Sequence, residues 1–199
     1  MGRPKALLPT DLAGETFLSR LAATLLAGGL DDVVLVLADA PAAEREALEQ
    51  VVAGLPACVR PVLNPDPSRG QLSSLQTGLA VVDRPGVSAM LVALIDVPRV
   101  SQGTVRALLA AYRETRAPIV RPVRGGRHGH PVIFDRALFD ALRHADPAVG
   151  ARGVVRAHAG QAIDVAIDDD GAFQDIDTPA DYERAFGRAL PCGGVAGSS

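Results

Sequence analysis

Asp96 is the first residue whose placement could do chemistry. It closes the most apolar run in the chain, AMLVALI from Ala89 to Ile95, and Val97-Pro98 follow it. A carboxylate at the carboxyl end of such a strand points out of a sheet's edge. There one or two carboxylates, with water and phosphate oxygens, can hold a magnesium ion. The competing role is a cap for the next helix, although Ser101 stands nearer that start. The segment QDIDTPADY adds Asp175 and Asp177 in an extended stretch. Alternate strand residues share a face, so the two acids could converge on one site and share a cation with Asp96. Alternatively, both serve the positive end of the helix that Thr178 caps.

Three further stretches offer ligand-binding chemistry. In GGRHGHPVIF, Gly125, Gly126 and Gly129 allow a close backbone approach, and His130 is held extended ahead of Pro131. His128 and His130 lack a third partner at metal-ligand spacing, and magnesium does not choose imidazole, so a substrate-lining loop is the better reading. In SRGQLSSL, Gly70 permits a turn. Ser73 and Ser74 then present hydroxyl and backbone N–H groups suited to a nucleobase edge or an anion. A capping box between Ser73 and Gln76 explains Ser73 without a ligand and predicts a helix starting there. Finally, the opening MGRPKALLP places Gly2, Arg3 and Lys5 in a short basic loop. Lys5 is the only lysine in the chain, and a compact ammonium in an arginine-rich sequence marks the position.

The elements that must position these residues alternate. Helical periodicity covers 16–28, 42–53, 101–115, 136–144 and 150–158, and a helix opens at Thr178-Pro179. Short apolar or alternating runs cover 33–38, 57–63, 89–95, 118–122, 131–134 and 162–167. VVLVLA at 33–38 is suited to a strand buried on both faces, and AMLVALI to the central strand. Strand after helix after strand predicts an α/β fold: three layers, a mostly parallel sheet with helices on both faces, Rossmann-like, with ligands at the carboxyl ends of strands. Residues 1–188 make one domain, and the small polar tail 189–199 is expected to be disordered.

Composition narrows the partners. The 199 residues carry a formal net charge of −3, and 4% are aromatic with no Trp. That argues against nucleic acid or an anionic membrane as the partner. No apolar run reaches the length of a membrane span, and the N-terminus lacks a signal-peptide pattern. Two cysteines, Cys58 and Cys192, make neither a disulfide framework nor a metal site. The expected compartment is the cytoplasm.

Taken in order, MGRPKALLP, GGLDDVVLVLA, NPDPSRGQLSSLQTGL, LVALIDVP, GHPVIF and DIDTPADY resemble the molybdenum-cofactor nucleotidyltransferases, the MobA-like NTP transferases of the nucleotide-diphospho-sugar transferase fold. The Ser-Ser-Leu and Gly-His-Pro segments look more like the branch that transfers cytidylyl to molybdopterin. The resemblance implies that Lys5 and Arg3 engage the triphosphate, with Gly2 in the same loop, and that Gln71, Ser73 and Ser74 lie near the nucleotide. It implies that Asp96 and Asp177 hold Mg2+, while Gly129 and His130 line the acceptor pocket. Expected substrates are an NTP, CTP foremost, and a phosphorylated acceptor such as molybdopterin cofactor, with a molybdoenzyme or its chaperone as a further partner. A sugar or alditol phosphate acceptor, or a non-catalytic nucleotide-binding module, are the other readings. The chain departs from the family at PAVGARG, where the acid of a G-D-x-G-A-R-like stretch is lacking, and in having no strand and L-A-A-G-x-S loop before MGRPK. The natural protein is therefore expected to start about twenty residues earlier, the length a strand and its loop need.

Overall fold

Apolar runs bounded by turn residues form the strands, and segments of 3.6-residue period form the helices that cover them. The computed structural model describes residues 4–10 and 13–190. Gly2, Arg3, Cys192 and most of the expected tail lie outside the described residues. In chain order the elements are α1 (Phe17–Ala27), β1 (Val33–Ala38), α2 (Ala42–Ala53), β2 (Val59–Asn64), α3 (Gln71–Val82), β3 (Ala89–Val92) and α4 (Gln102–Thr115). There follow β4 (Ile119–Arg124), β5 (Arg127–His128), β6 (Val132–Asp135), α5 (Phe139–Arg143), α6 (Ala151–Ala157), β7 (Ala162–Ala166) and α7 (Pro179–Phe186).

The α/β class is as expected, and the alternation of side chains shows the three layers. Met90, Val92, Ile119, Val132 and Phe134 pack with Leu75 and Leu79 of α3 and Leu142 of α5. Their sequence neighbours Leu91, Val120 and Ile133 pack instead with Leu108 and Tyr112 of α4. Successive strand residues thus feed opposite helical layers. Strand pairing is mixed. β1 and β2 pair in parallel, as do β4 and β7, but β6 runs antiparallel to both β3 and β4. β3 and β4 therefore point the same way with a reversed strand between them, which the alternation of elements did not foretell.

Two burial expectations are corrected. AMLVALI is not central: the strand stops at Val92, and β3 ends the row β3-β6-β4-β5. Nor is VVLVLA buried on both faces, since Val33–Leu37 are only half-buried and Ala38 is exposed. Among the described residues β1 and β3 each have a single ladder, to β2 and β6 respectively. An unpaired strand edge leaves side chains and backbone partly in solvent.

Candidate active site

Apolar packing brings the charged residues together. Leu8, Ile176 and Tyr182 are buried with Phe17 in one cluster, and Ile95 packs against it. Ile95 and Ile176 adjoin Asp96 and Asp177 in sequence, and Leu8 follows Lys5 by three residues. The Ile176 N–H donates to the Asp96 carbonyl at 2.8 Å, and the Tyr182 hydroxyl donates to the Pro9 carbonyl at 2.6 Å. The segment before α7 is thereby laid along the turn that carries Asp96, and the N-terminal segment is pinned to α7. The α7 start is fixed locally by a capping box between Thr178 and Asp181, with Pro179 in the first turn.

Lys5 is the hub of this arrangement. It opens a short 3₁₀ turn, Lys5–Leu7, and its ammonium donates to Asp177 Oδ1 while standing 3.6 Å from Asp96 Oδ2. Asp96 Oδ1 is buried with no hydrogen-bond partner. Asp175 and Asp177 flank the buried Ile176, and both are exposed. Three residues singled out from the sequence, 172 positions apart at the extreme, therefore meet at one place. Among the described residues no group of three or more His, Cys, Asp or Glu could hold a metal by itself. Two carboxylates do fit a hard cation that completes its shell with water and phosphate oxygens, and they do not fit a preassembled metal cage.

The Gly-His-Pro turn lies beside this row. Gly129 is buried because packing demands it: a Cβ there would stand 2.2 Å from the Ala172 carbonyl and 2.7 Å from the Phe173 ring. The His130 N–H donates to the same Ala172 carbonyl at 2.8 Å. Burial depresses the His130 pKa below its ordinary 6.5, against the pull of Asp175 and Asp96, and Arg152 adds to the depression. The ring is therefore neutral at neutral pH, and its Nδ1 is buried without a partner. His128 of β5 pairs with Asp164 of β7, and among the described residues no group of three metal-ligating side chains includes it.

The loop before α3 behaves differently from expectation. The helix starts at Gln71, with Gly70 as its N-cap, and not at Ser73. Gly70 has φ 79° and ψ −166°, a conformation that side chains disfavour, and this is what turns the chain into the helix. No capping box forms, because Gln76 donates to the carbonyls of Leu142 and Arg143 instead. The Ser73 hydroxyl lies 2.8–2.9 Å from the Gly70 and Asp66 carbonyls and accepts from Asn64 Nδ2 at 2.8 Å. That leaves Gln71, which is exposed, and the partly buried Ser74, whose hydroxyl accepts one bond from Asn64 Nδ2, as the groups able to face a ligand. Asn64 is the residue that sequence reasoning missed. It is 1% exposed at the end of β2, bonds both serines, and accepts the Asp66 N–H. The Asn-Pro after an apolar strand was its signal.

The comparisons agree with this architecture. A family model described as the MobA-like NTP transferase domain matches residues 1–162. The chain belongs to that family. This MobA-like protein is a nucleotidyltransferase by that membership. It is 35% identical over 188 residues to nicotine blue oxidoreductase of Paenarthrobacter nicotinovorans, covering 89% of this chain and 86% of that one. It is 31% identical over 197 residues to phosphoenolpyruvate guanylyltransferase of Sphaerobacter thermophilus, covering 88% and 89%. Among solved structures, Rv0371c from Mycobacterium tuberculosis H37Rv superposes with a TM-score of 0.75 at 27% identity, covering 94% of this chain and 91% of that one. The manganese complex of the same protein superposes at 0.69.

Proposed function

We propose that this nucleotidyltransferase transfers CMP from CTP to a phosphorylated acceptor, molybdopterin foremost, in the presence of magnesium. The observation that carries the reading is the convergence of Lys5, Asp96 and Asp177 at one place past the end of β3, and the Gln71–Ser74 helix start would supply nucleotide contacts. In the reaction an acceptor phosphate oxygen attacks the α-phosphorus of the nucleotide in line. The bond to the bridging oxygen breaks, and pyrophosphate leaves with both electrons. The attacking phosphate is already anionic, so no general base is needed. Catalysis then consists of positioning and charge neutralisation. Asp96 and Asp177 would hold the magnesium, which when bound neutralises charge on the reacting phosphates. Lys5, with Arg3 beside it in sequence, would carry the triphosphate. Gln71 and Ser74 would face the nucleotide, while Ser73 holds their loop. The His130 turn would line the acceptor side, and Gly129 gives that turn its close contact with Ala172 and Phe173.

A guanylyl donor is the second reading, favoured by the 31% identity to phosphoenolpyruvate guanylyltransferase. The test is transfer of label from α-labelled CTP or GTP with magnesium, to molybdopterin and to sugar and alditol phosphates, with pyrophosphate release followed in parallel. Labelled cytidylyl-molybdopterin is the expected product. A labelled guanylyl product would change the donor, and a labelled sugar nucleotide the acceptor. Nucleotide-dependent thermal stabilisation with no pyrophosphate would replace the enzyme reading with a binding module. The redox name of the Paenarthrobacter relative supplies a last rival: oxidoreductase turnover with no labelled product would displace transfer altogether.

A further inference from the structure

The Lys5 ammonium stands on oxygens that a cation would need. It contacts Asp177 Oδ1 and lies 3.6 Å from Asp96 Oδ2. The other Asp96 oxygen is buried and meets no partner, so it offers no approach from solvent. A divalent ion held by both aspartates requires oxygen distances of about 2.0–2.2 Å, so it would lie between the two carboxylates, in the gap that the Lys5 ammonium now partly fills. Two positive centres cannot share that space, because their repulsion adds to the overlap. With no third His, Cys, Asp or Glu to strengthen the seat among the described residues, the two carboxylates hold a metal weakly alone. A nucleoside triphosphate changes both terms. Its phosphates attract the ammonium, and they supply oxygen ligands to the ion.

We propose that Lys5 and the divalent cation are alternative occupants of one seat between Asp96 and Asp177, so that the cation is taken up together with the nucleotide and not ahead of it. The proposal rests on the transfer reading, because the triphosphate is what draws Lys5 away. Lys5 thereby has two positions: a counter-ion that keeps the aspartates together in the free protein, and a phosphate ligand in the loaded one. Its side chain is 28% exposed, so the free-state pair is partly screened.

The test is Mn2+ binding to the full chain, read without CTP as loss of free-ion electron paramagnetic resonance signal and with CTP as manganese retained with the protein beyond that of a protein-free Mn–CTP control. Wild type, Lys5→Met and Lys5→Gln are compared, each checked for an unchanged far-UV spectrum. Without nucleotide, both variants should bind Mn2+ about two- to fivefold tighter than wild type, the size expected from removing one partly screened ion pair. The gain should vanish in Lys5→Met/Asp177→Asn. With CTP the order should reverse, wild type binding Mn2+ tightest. Unchanged or weaker Mn2+ binding by both variants in the absence of CTP overturns the proposal, even where CTP promotes uptake by wild type. If CTP fails to promote uptake by wild type, the transfer reading falls as well.

Discussion

Asn64 offers the sharpest test of how the loop before α3 is held. Truncation to Ala removes the donation from Nδ2 to Ser73 Oγ at 2.8 Å and to Ser74 Oγ at 3.0 Å, and the acceptance of the Asp66 N–H at 3.0 Å. The first bond is fully buried, whereas the other two are partly open to water, which can replace them. Counting about 1 kcal/mol for the buried bond and about half that for each of the others gives roughly 2 kcal/mol. The space left by a side chain only 1% exposed raises the expected loss to about 2–3 kcal/mol. For a chain of this length that is a fall in Tm of about 4–12 °C. Urea denaturation should show a lower midpoint with an unchanged slope. The nucleotide KM should rise, because Gln71 and Ser74 lose their support. A stability change below about 0.5 kcal/mol with the KM unaltered would refute the reasoning, since the buried amide would then not be organising the loop.

Two further changes probe the Gly129–His130 turn. Gly129→Ala forces a Cβ to 2.2 Å from the Ala172 carbonyl, a backbone atom that cannot swing away. It should destabilise by about 2–4 kcal/mol in urea, and a loss under about 0.5 kcal/mol would show that the contact is loose. His130 makes a pH-dependent prediction. Its folded pKa lies below the unfolded value near 6.5, so the unfolded chain binds the proton first. The stability linked to a neutral His130 is present above about pH 6.5 and is lost as pH falls below it, levelling once the folded ring also protonates. Denaturation curves at pH 7.5 and below 6 should therefore separate in wild type and draw together in His130→Asn, and an equal separation in both would remove His130 from the account.

Sequence alone reached far where the signal is local. α7 was legible because Thr178, Pro179 and Asp181 are a complete helix start, and α4 because Ser101 caps it, its hydroxyl accepting the Thr104 N–H. β1 and α2 fell on their expected residues for the same reason, a clean period between turn signals. What failed depends on partners distant in the chain. Val132–Asp135 reads as a strand whichever way it runs, and its antiparallel sense is set only by pairing with β3 and β4. Ser73 and Gln76 have capping-box spacing, yet Gly70 starts the helix and Gln76 is drawn to the end of α5. The meeting of Lys5 with Asp177 could not be read from either residue's neighbourhood. It follows from Leu8, Ile95 and Ile176 packing into one cluster.

The most direct measurement is pyrophosphate release from CTP and molybdopterin with magnesium, in wild type and in Asp96→Asn. The account predicts magnesium-dependent release by wild type and a loss of at least about 100-fold in the variant, with its melting temperature kept within a few degrees. Release by Asp96→Asn at the wild-type rate would contradict it, because the site built from Lys5, Asp96 and Asp177 would not be where transfer occurs.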